Sequence, residues 1–206
     1  MKQKFTIVLC VCLSLLCIDA FGQKNIVYPR NETVFMGGGM WGSPNNWNPV
    51  THWLATVGTP GLVYEYLFTY DPITDKMKPW LAESGKWLTK NTYKLTLRKD
   101  IQWTDGTPFT ADDVKFTYEL AQKYKEVDYS PIWNWLKKIR KVDKHTLKFT
   151  FSDPRYHEWE RELYERLMIP KHIFSERSKE EILTGANKNP IGTGSYLAET
   201  HDQDTT

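Results

Sequence analysis

Three groups of residues carry side chains that could hold a ligand or do chemistry. The first is the loop Trp41-Gly42-Ser43-Pro44-Asn45-Asn46-Trp47-Asn48-Pro49, with Trp53 just beyond it. An indole offers a flat apolar face, which suits the apolar face of a sugar ring. Carboxamides donate and accept at once, as sugar hydroxyls require. Trp41, Asn45, Asn46, Trp47, Asn48 and Trp53 therefore form the candidate ligand-binding set. The competing reading packs Trp41 or Trp47 into a core and leaves the asparagines to shape turns.

The second group is His157-Glu158. A zinc-protease helix needs another His four positions after the first, and Arg161 stands there. His52, His145, His172 and His201 are scattered, so no metal site and no cofactor is expected. The third group is Glu158, Glu160, Glu162 and Glu165. A glycosidase places two carboxylates across a cleft. Here the acids interleave with Arg155, Arg161 and Arg166, which reads as a solvated, ion-paired face. No nucleophile elbow, phosphate loop or dinucleotide fingerprint occurs. No catalytic residue is expected, and a carbohydrate-active enzyme is the alternative class.

The elements that would position these residues are mixed. Tyr93, Leu95 and Leu97 alternate with polar residues, as do Leu147, Phe149 and Phe151, and period two predicts half-buried strands. Thr33 to Met36 reads as a buried strand closed by three glycines. Thr110-Ala111-Asp112-Asp113 predicts a capped helix start, with Val114, Tyr118, Ala121 and Tyr124 as its apolar stripe. Helices are also expected over 62–68, 132–139, 154–167 and 178–184, with Lys137 to Lys141 as a wet helix end. Residues 71–75 and 103–108 are turns, and 193–198 regain strand character. Trp80, Trp87 and Trp103 are expected in the core, together with one of Trp133 and Trp135. The fold class is α+β.

The chain has 206 residues, with 27 basic and 25 acidic side chains and a net charge of +2. That balance gives no argument for nucleic acid. Aromatic content is high: 9 Trp, 11 Tyr and 9 Phe. Lys2 and Lys4 precede a mostly apolar run over 5–18, and Ala20 and Gly22 supply small residues before Gln23. This order predicts a secretory signal peptide cleaved near Gly22, and hence a periplasmic protein. The run is shorter than the roughly 20 residues that span a bilayer. Cys10, Cys12 and Cys17 all lie within it, so no disulfide framework is expected. A lipid on Cys17 ranks second, because Leu16 stands where a small residue would be usual.

Between residues 63 and 114 the chain carries Tyr70-Asp71-Pro72, Pro79-Trp80-Leu81-Ala82-Glu83-Ser84 and Trp103-Thr104-Asp105-Gly106-Thr107-Pro108-Phe109-Thr110-Ala111-Asp112-Asp113-Val114. Pro190-Ile191-Gly192-Thr193-Gly194-Ser195-Tyr196 follows later, with Ser195 where proline is usual. This ordered set resembles the family 5 extracytoplasmic solute-binding proteins of ABC transporters, the oligopeptide, dipeptide and nickel type. The Trp41 to Pro49 loop and Asp153-Pro154-Arg155-Tyr156-His157-Glu158-Trp159 look like the branch that binds β-linked oligosaccharides.

The resemblance implies a two-lobed fold of the periplasmic-binding-protein type (cluster C). In that scheme 1–22 is the signal peptide, 23–61 starts lobe one, 62–185 is an inserted subdomain, and 186–206 returns to lobe one. The implied partners are an oligosaccharide or oligopeptide ligand and the membrane permease subunits of an ABC importer, with the protein itself a monomer. Family members are two to three times longer. The chain is accordingly expected to be an N-terminal fragment that supplies one side of a cleft and binds ligand weakly alone.

Overall fold

The structure is a computed structural model that describes residues 46–54 and 59–197, with 52–54 as backbone only. Its centre is a four-stranded antiparallel sheet. The strands are β3 (Ala82–Thr89), β4 (Thr92–Leu97), β5 (Leu136–Asp143) and β6 (Thr146–Phe151), in the order β3-β4-β6-β5. β1 (Phe68–Asp71) and β2 (Lys76–Pro79) form a separate hairpin. Its turn is held by Asp71, whose carboxylate accepts from Ile73 N at 3.0 Å and from Lys78 Nζ at 2.6 Å. Those bonds, the lysine's first, hold the Asp71 carboxyl well below the usual carboxylate range.

Period two decides which way the sheet faces. Tyr93, Leu95 and Leu97 of β4 are buried, as are Leu147, Phe149 and Phe151 of β6. The register pairs Tyr93 with Phe149 and Leu95 with Leu147, so all of these point to one side. Two helices cover that side. Helix α1 (Ala111–Lys123) begins at a capping box in which Thr110 Oγ1 accepts from Asp112 N, and Asp113 Oδ2 accepts from Thr110 N at 2.8 Å. Asp113 also accepts from Lys171 N at 3.0 Å, which ties α1 to the short helix α3 (Lys171–Phe174).

Helix α2 (Tyr156–Glu165) delivers Trp159 to the middle of the core. Its ring lies 4.7 Å from Phe149, 5.1 Å from Phe151 and 5.3 Å from Tyr93. Burying each Phe or Leu of this cluster contributes roughly 1.5–3 kcal/mol. Trp159 Nε1 and Tyr118 Oη are buried with no hydrogen-bond partner among the described residues, so apolar packing holds this centre. Helix α4 (Lys179–Thr184), capped by Ser178 and Glu181, joins a smaller cluster with Val50, Leu120 and Phe174.

Several expectations need correction. Residues 62–68 are not a helix: Pro60 and Gly61 leave helical geometry, with Gly61 at φ 82, and Phe68 already belongs to β1. A short continuous apolar run does not distinguish the two states by periodicity. Residues 132–139 are a 3-10 turn (Ile132–Asn134) followed by β5. A bulge between Leu136 and Lys138 places both Leu136 and Ile139 inward, and that spacing of three imitates a helix. Lys137 to Lys141 is therefore strand, not a helix end. Residues 193–197 form no regular strand, although Gly194 N and Tyr196 N donate to Val63 O and Leu62 O.

The tryptophans divide. Trp103 and Trp135 are core. Trp133 is half-buried, with Nε1 donating to Tyr118 O at 2.8 Å. Trp87 is half-buried. Trp80 is 45% exposed and so is not core, although its Nε1 donates to the buried Glu65 Oε1 at 2.7 Å. The expected strand at 33–36 lies outside the described residues.

Candidate functional site

Of the six candidate ligand residues, Trp41 and Asn45 lie outside the described residues. Trp53 is placed only by its backbone, in the irregular 3-10 turn Pro49–Leu54. Asn46, Trp47 and Asn48 form the visible flank of the loop. Asn46 Oδ1 accepts from Asn48 N at 3.0 Å, and Asn48 Oδ1 accepts from Val50 N at 3.0 Å. These are two successive Asx turns, the local chemistry asparagine favours.

Asn48 then reaches inward. Its Nδ2 donates to Ile182 O at 2.8 Å and to Gly185 O at 3.0 Å, so it caps the C-terminal end of α4. It is fully buried. Both amide hydrogens and the carbonyl oxygen serve the chain itself, so Asn48 fits the turn-shaping reading. Asn46 and Trp47 are half-buried, and Trp47 packs against the main apolar cluster with its indole Nε1 buried, so part of the ring serves the core as the competing reading expects.

Trp47 is anchored by its backbone. Its N donates to Ala186 O at 2.8 Å, and its carbonyl accepts from Asn187 Nδ2 at 3.1 Å. Asn187 was not singled out from the sequence. It adopts φ 48, which asparagine tolerates better than most residues. Its side chain also donates to Tyr64 Oη at 2.8 Å and accepts from Arg177 Nη2 at 2.7 Å. Burial pushes the Tyr64 hydroxyl up to about 12, against the smaller opposing effects of Asn187 and Arg177. The only sequence signal was a turn-like Asn187-Lys188-Asn189-Pro190.

The glycines of the later motif make the same seam close. A Cβ on Gly192 would meet Val63 O at 1.8 Å, and one on Gly194 would meet Leu62 O at 2.0 Å. Only glycine lets these backbones approach so nearly. The loop flank, segment 62–64 and segment 186–196 are thus one hydrogen-bonded unit.

The remaining groups offer no catalytic assembly. The His157 side chain is 99% exposed and 4.0 Å from Glu160. No cluster of three metal-ligating side chains occurs among the described residues. The acid-rich helix is only partly the solvated face expected. Arg161 and Glu165 pair in solvent, but Arg166 is buried between Glu162 at 2.6 Å and Asp128 at 3.1 Å. Asp128 is far away in sequence, which hides this triad from local reading. An open groove of about 810 Å³ lies between the β1–β2 hairpin and α2, where Tyr70 stacks on Tyr164 at 5.3 Å. The sequence pattern did not reveal it.

Comparison with known proteins gives this geometry its context. The chain superposes with TM-score 0.81 and 55% identity on an oligopeptide ABC transporter periplasmic oligopeptide-binding protein from Thermotoga maritima, solved with mannohexaose bound. The match covers 84% of this chain and 32% of that one. A probable ABC transporter-binding protein from Deinococcus radiodurans is 36% identical over 91 residues, 41% of this chain and 15% of that protein. A putative ABC transporter peptide-binding protein from Brucella ovis is 29% identical over 166 residues, 77% of this chain and 30% of that protein. The chain therefore spans a third or less of the length of each relative. These relatives are binding proteins of ABC transporters, not enzymes, and the fold is of the periplasmic-binding-protein type. Residues 76–206 match the family model for bacterial extracellular solute-binding proteins, family 5, middle part, and the chain belongs to that family.

Proposed function

We propose that this chain is the N-terminal portion of an extracytoplasmic solute-binding protein that captures cello- or manno-type oligosaccharides and delivers them to the permease of an ABC importer. The observation that carries the reading is the 55% identity to a protein whose structure holds mannohexaose. The Trp41 to Pro49 loop supports it chemically. Trp41, Trp47 and Trp53 supply stacking faces, and Asn45 and Asn46 supply neutral hydrogen-bonding groups. Asn48 holds the loop from behind.

The proposed organisation is a signal peptide over 1–22, the start of lobe one over 23–61, an inserted subdomain over 62–185 and a return to lobe one from 186. The bonds Trp47 N to Ala186 O and Gly194 N to Val63 O support it, because they bring both ends of 62–185 together as an insertion requires. Export with cleavage near Gly22 places the protein in the periplasm as a monomer, and lipidation at Cys17 is the alternative anchor.

A second reading, oligopeptide capture, is favoured by the name of the Brucella relative. Calorimetric titration of the full-length protein with mannohexaose, cellohexaose and a hexapeptide separates the two. Sugar binding with the ligand recovered intact is the expected result. Peptide binding alone overturns the sugar reading, and shortened sugar products overturn the assignment as a binding protein.

A further inference from the structure

The sheet face opposite the helices has its own pattern. The register places Lys86 beside Lys94, Lys94 beside Lys148, and Lys148 beside Arg140. One cation from each of the four strands thus stands in a single row across the sheet. Adjacent strands lie about 4.8 Å apart, so the row runs about 15 Å. Lys86 and Arg140 are exposed, and Lys94 and Lys148 are half-exposed. None of the four is in an ion pair among the described residues. The rows on either side are mostly hydroxyls: Ser84, Thr96 and Thr146 on one, ending at Asp143 of β5, and Thr89, Thr92 and Thr150 on the other, ending at Lys138 of β5.

Like charges directly opposite on a sheet repel and destabilise it. The chain carries this row although its overall charge is only +2, so the concentration is local. The described side chains of this face are mainly cations and hydroxyls spread across four strands, with one carboxylate, Asp143, at its edge. Such a surface suits an extended anionic plane better than a single small anion, which would need a pocket. We infer that this face docks the protein on the anionic phospholipid surface of the membrane, through the row Lys86, Lys94, Lys148 and Arg140. The choice of membrane rests on the proposed export to a membrane permease, because that function holds the protein beside a bilayer. Anionic headgroups attract basic side chains by about fivefold in affinity per cation. The attraction fades within a Debye length, so it is sensitive to salt.

The test is co-sedimentation of the 206-residue chain with phosphatidylglycerol-containing vesicles, with pure phosphatidylcholine vesicles, and with dextran sulfate. The comparison protein carries Lys86→Gln, Lys94→Gln, Lys148→Gln and Arg140→Gln. Both proteins keep Lys2, Lys4 and the apolar run, so any contribution of that segment cancels. The native chain should prefer the anionic vesicles, lose that preference in about 0.5 M salt, roughly five times the salt at which the Debye length is 10 Å, and bind them at least about a hundredfold better than the fourfold variant. A variant within twofold of the native chain overturns the inference, as does binding to dextran sulfate without binding to vesicles. The variant should melt no lower than the native chain, since repulsion has been removed. If it melts lower, the single variant Lys148→Gln replaces it, with a fivefold loss expected and an unchanged affinity overturning the proposal. Mannohexaose titration of the full-length protein, with and without the four substitutions, separates the readings: sugar binding can fail while vesicle binding stands, and the reverse.

Discussion

The body around Trp159 and the seam around Asn48 and Asn187 are held by different forces. In the body, aromatic and aliphatic side chains from β4, β6, α1 and α2 meet in a non-directional apolar contact. In the seam, carboxamides bridge backbone groups and glycines admit a close carbonyl. The body follows from composition and periodicity, so many sequences could make it. The seam depends on individual atoms at fixed distances. It also carries the loop proposed to hold the ligand, so small errors there should affect binding before they affect folding.

The largest expected effect lies in the body. Trp159→Ala should cost about 3–5 kcal/mol, because it leaves a large cavity among Tyr93, Phe149 and Phe151. Denaturant unfolding would measure it, and a loss below 1 kcal/mol would break the contrast. Next is pH. The Tyr64 hydroxyl titrates at about 12 in the fold, against about 10 unfolded. Its contribution is complete below pH 10 and disappears as pH rises through 12. The two-unit difference corresponds to about 3 kcal/mol. Tyr93 and Tyr118 are raised for the same reason, so they add to the alkaline loss. Tyr64→Phe should reduce the alkaline sensitivity, read as melting temperature against pH.

Within the seam, Gly192→Ala should destabilise by about 2 kcal/mol, because its Cβ would meet Val63 O. Thermal unfolding against Gly106→Ala, whose Cβ meets nothing, separates the carbonyl clash from the strain that Gly106 carries at φ 85. The finest test pairs two asparagines. Asn48→Ala strands two carbonyls and should cost about 1–3 kcal/mol. Asn46→Ala should cost less than about 1 kcal/mol of stability while weakening sugar binding, measured by calorimetry. Equal stability losses would dissolve the distinction between the asparagine that holds the loop and the one proposed to face the ligand.

Much of this was legible before any coordinates. The strands at 92–97 and 146–151, the Thr110 capping box, the turn at 71–75 and the family motif are local patterns, and each is where it was expected. Asn48 was legible as part of a turn but not as the cap of α4, because its partners at Ile182 and Gly185 are remote. Trp41 and Asn45 stay as expectations from sequence alone.

What the sequence by itself determined is what short-range physics encodes: alternation, caps, turns, and an ordered motif set sufficient for family membership. Tertiary structure decided the rest. A bulge turned an apparent helix at 136–139 into β5. Asp128 joined Arg166 and Glu162 across a long loop. Strand register aligned Lys86, Lys94, Lys148 and Arg140, four cations that look unrelated along the chain. The reason is common to all three. Register and remote hydrogen bonds depend on which segments pair, and that is settled by the packing of the whole core rather than by any one segment.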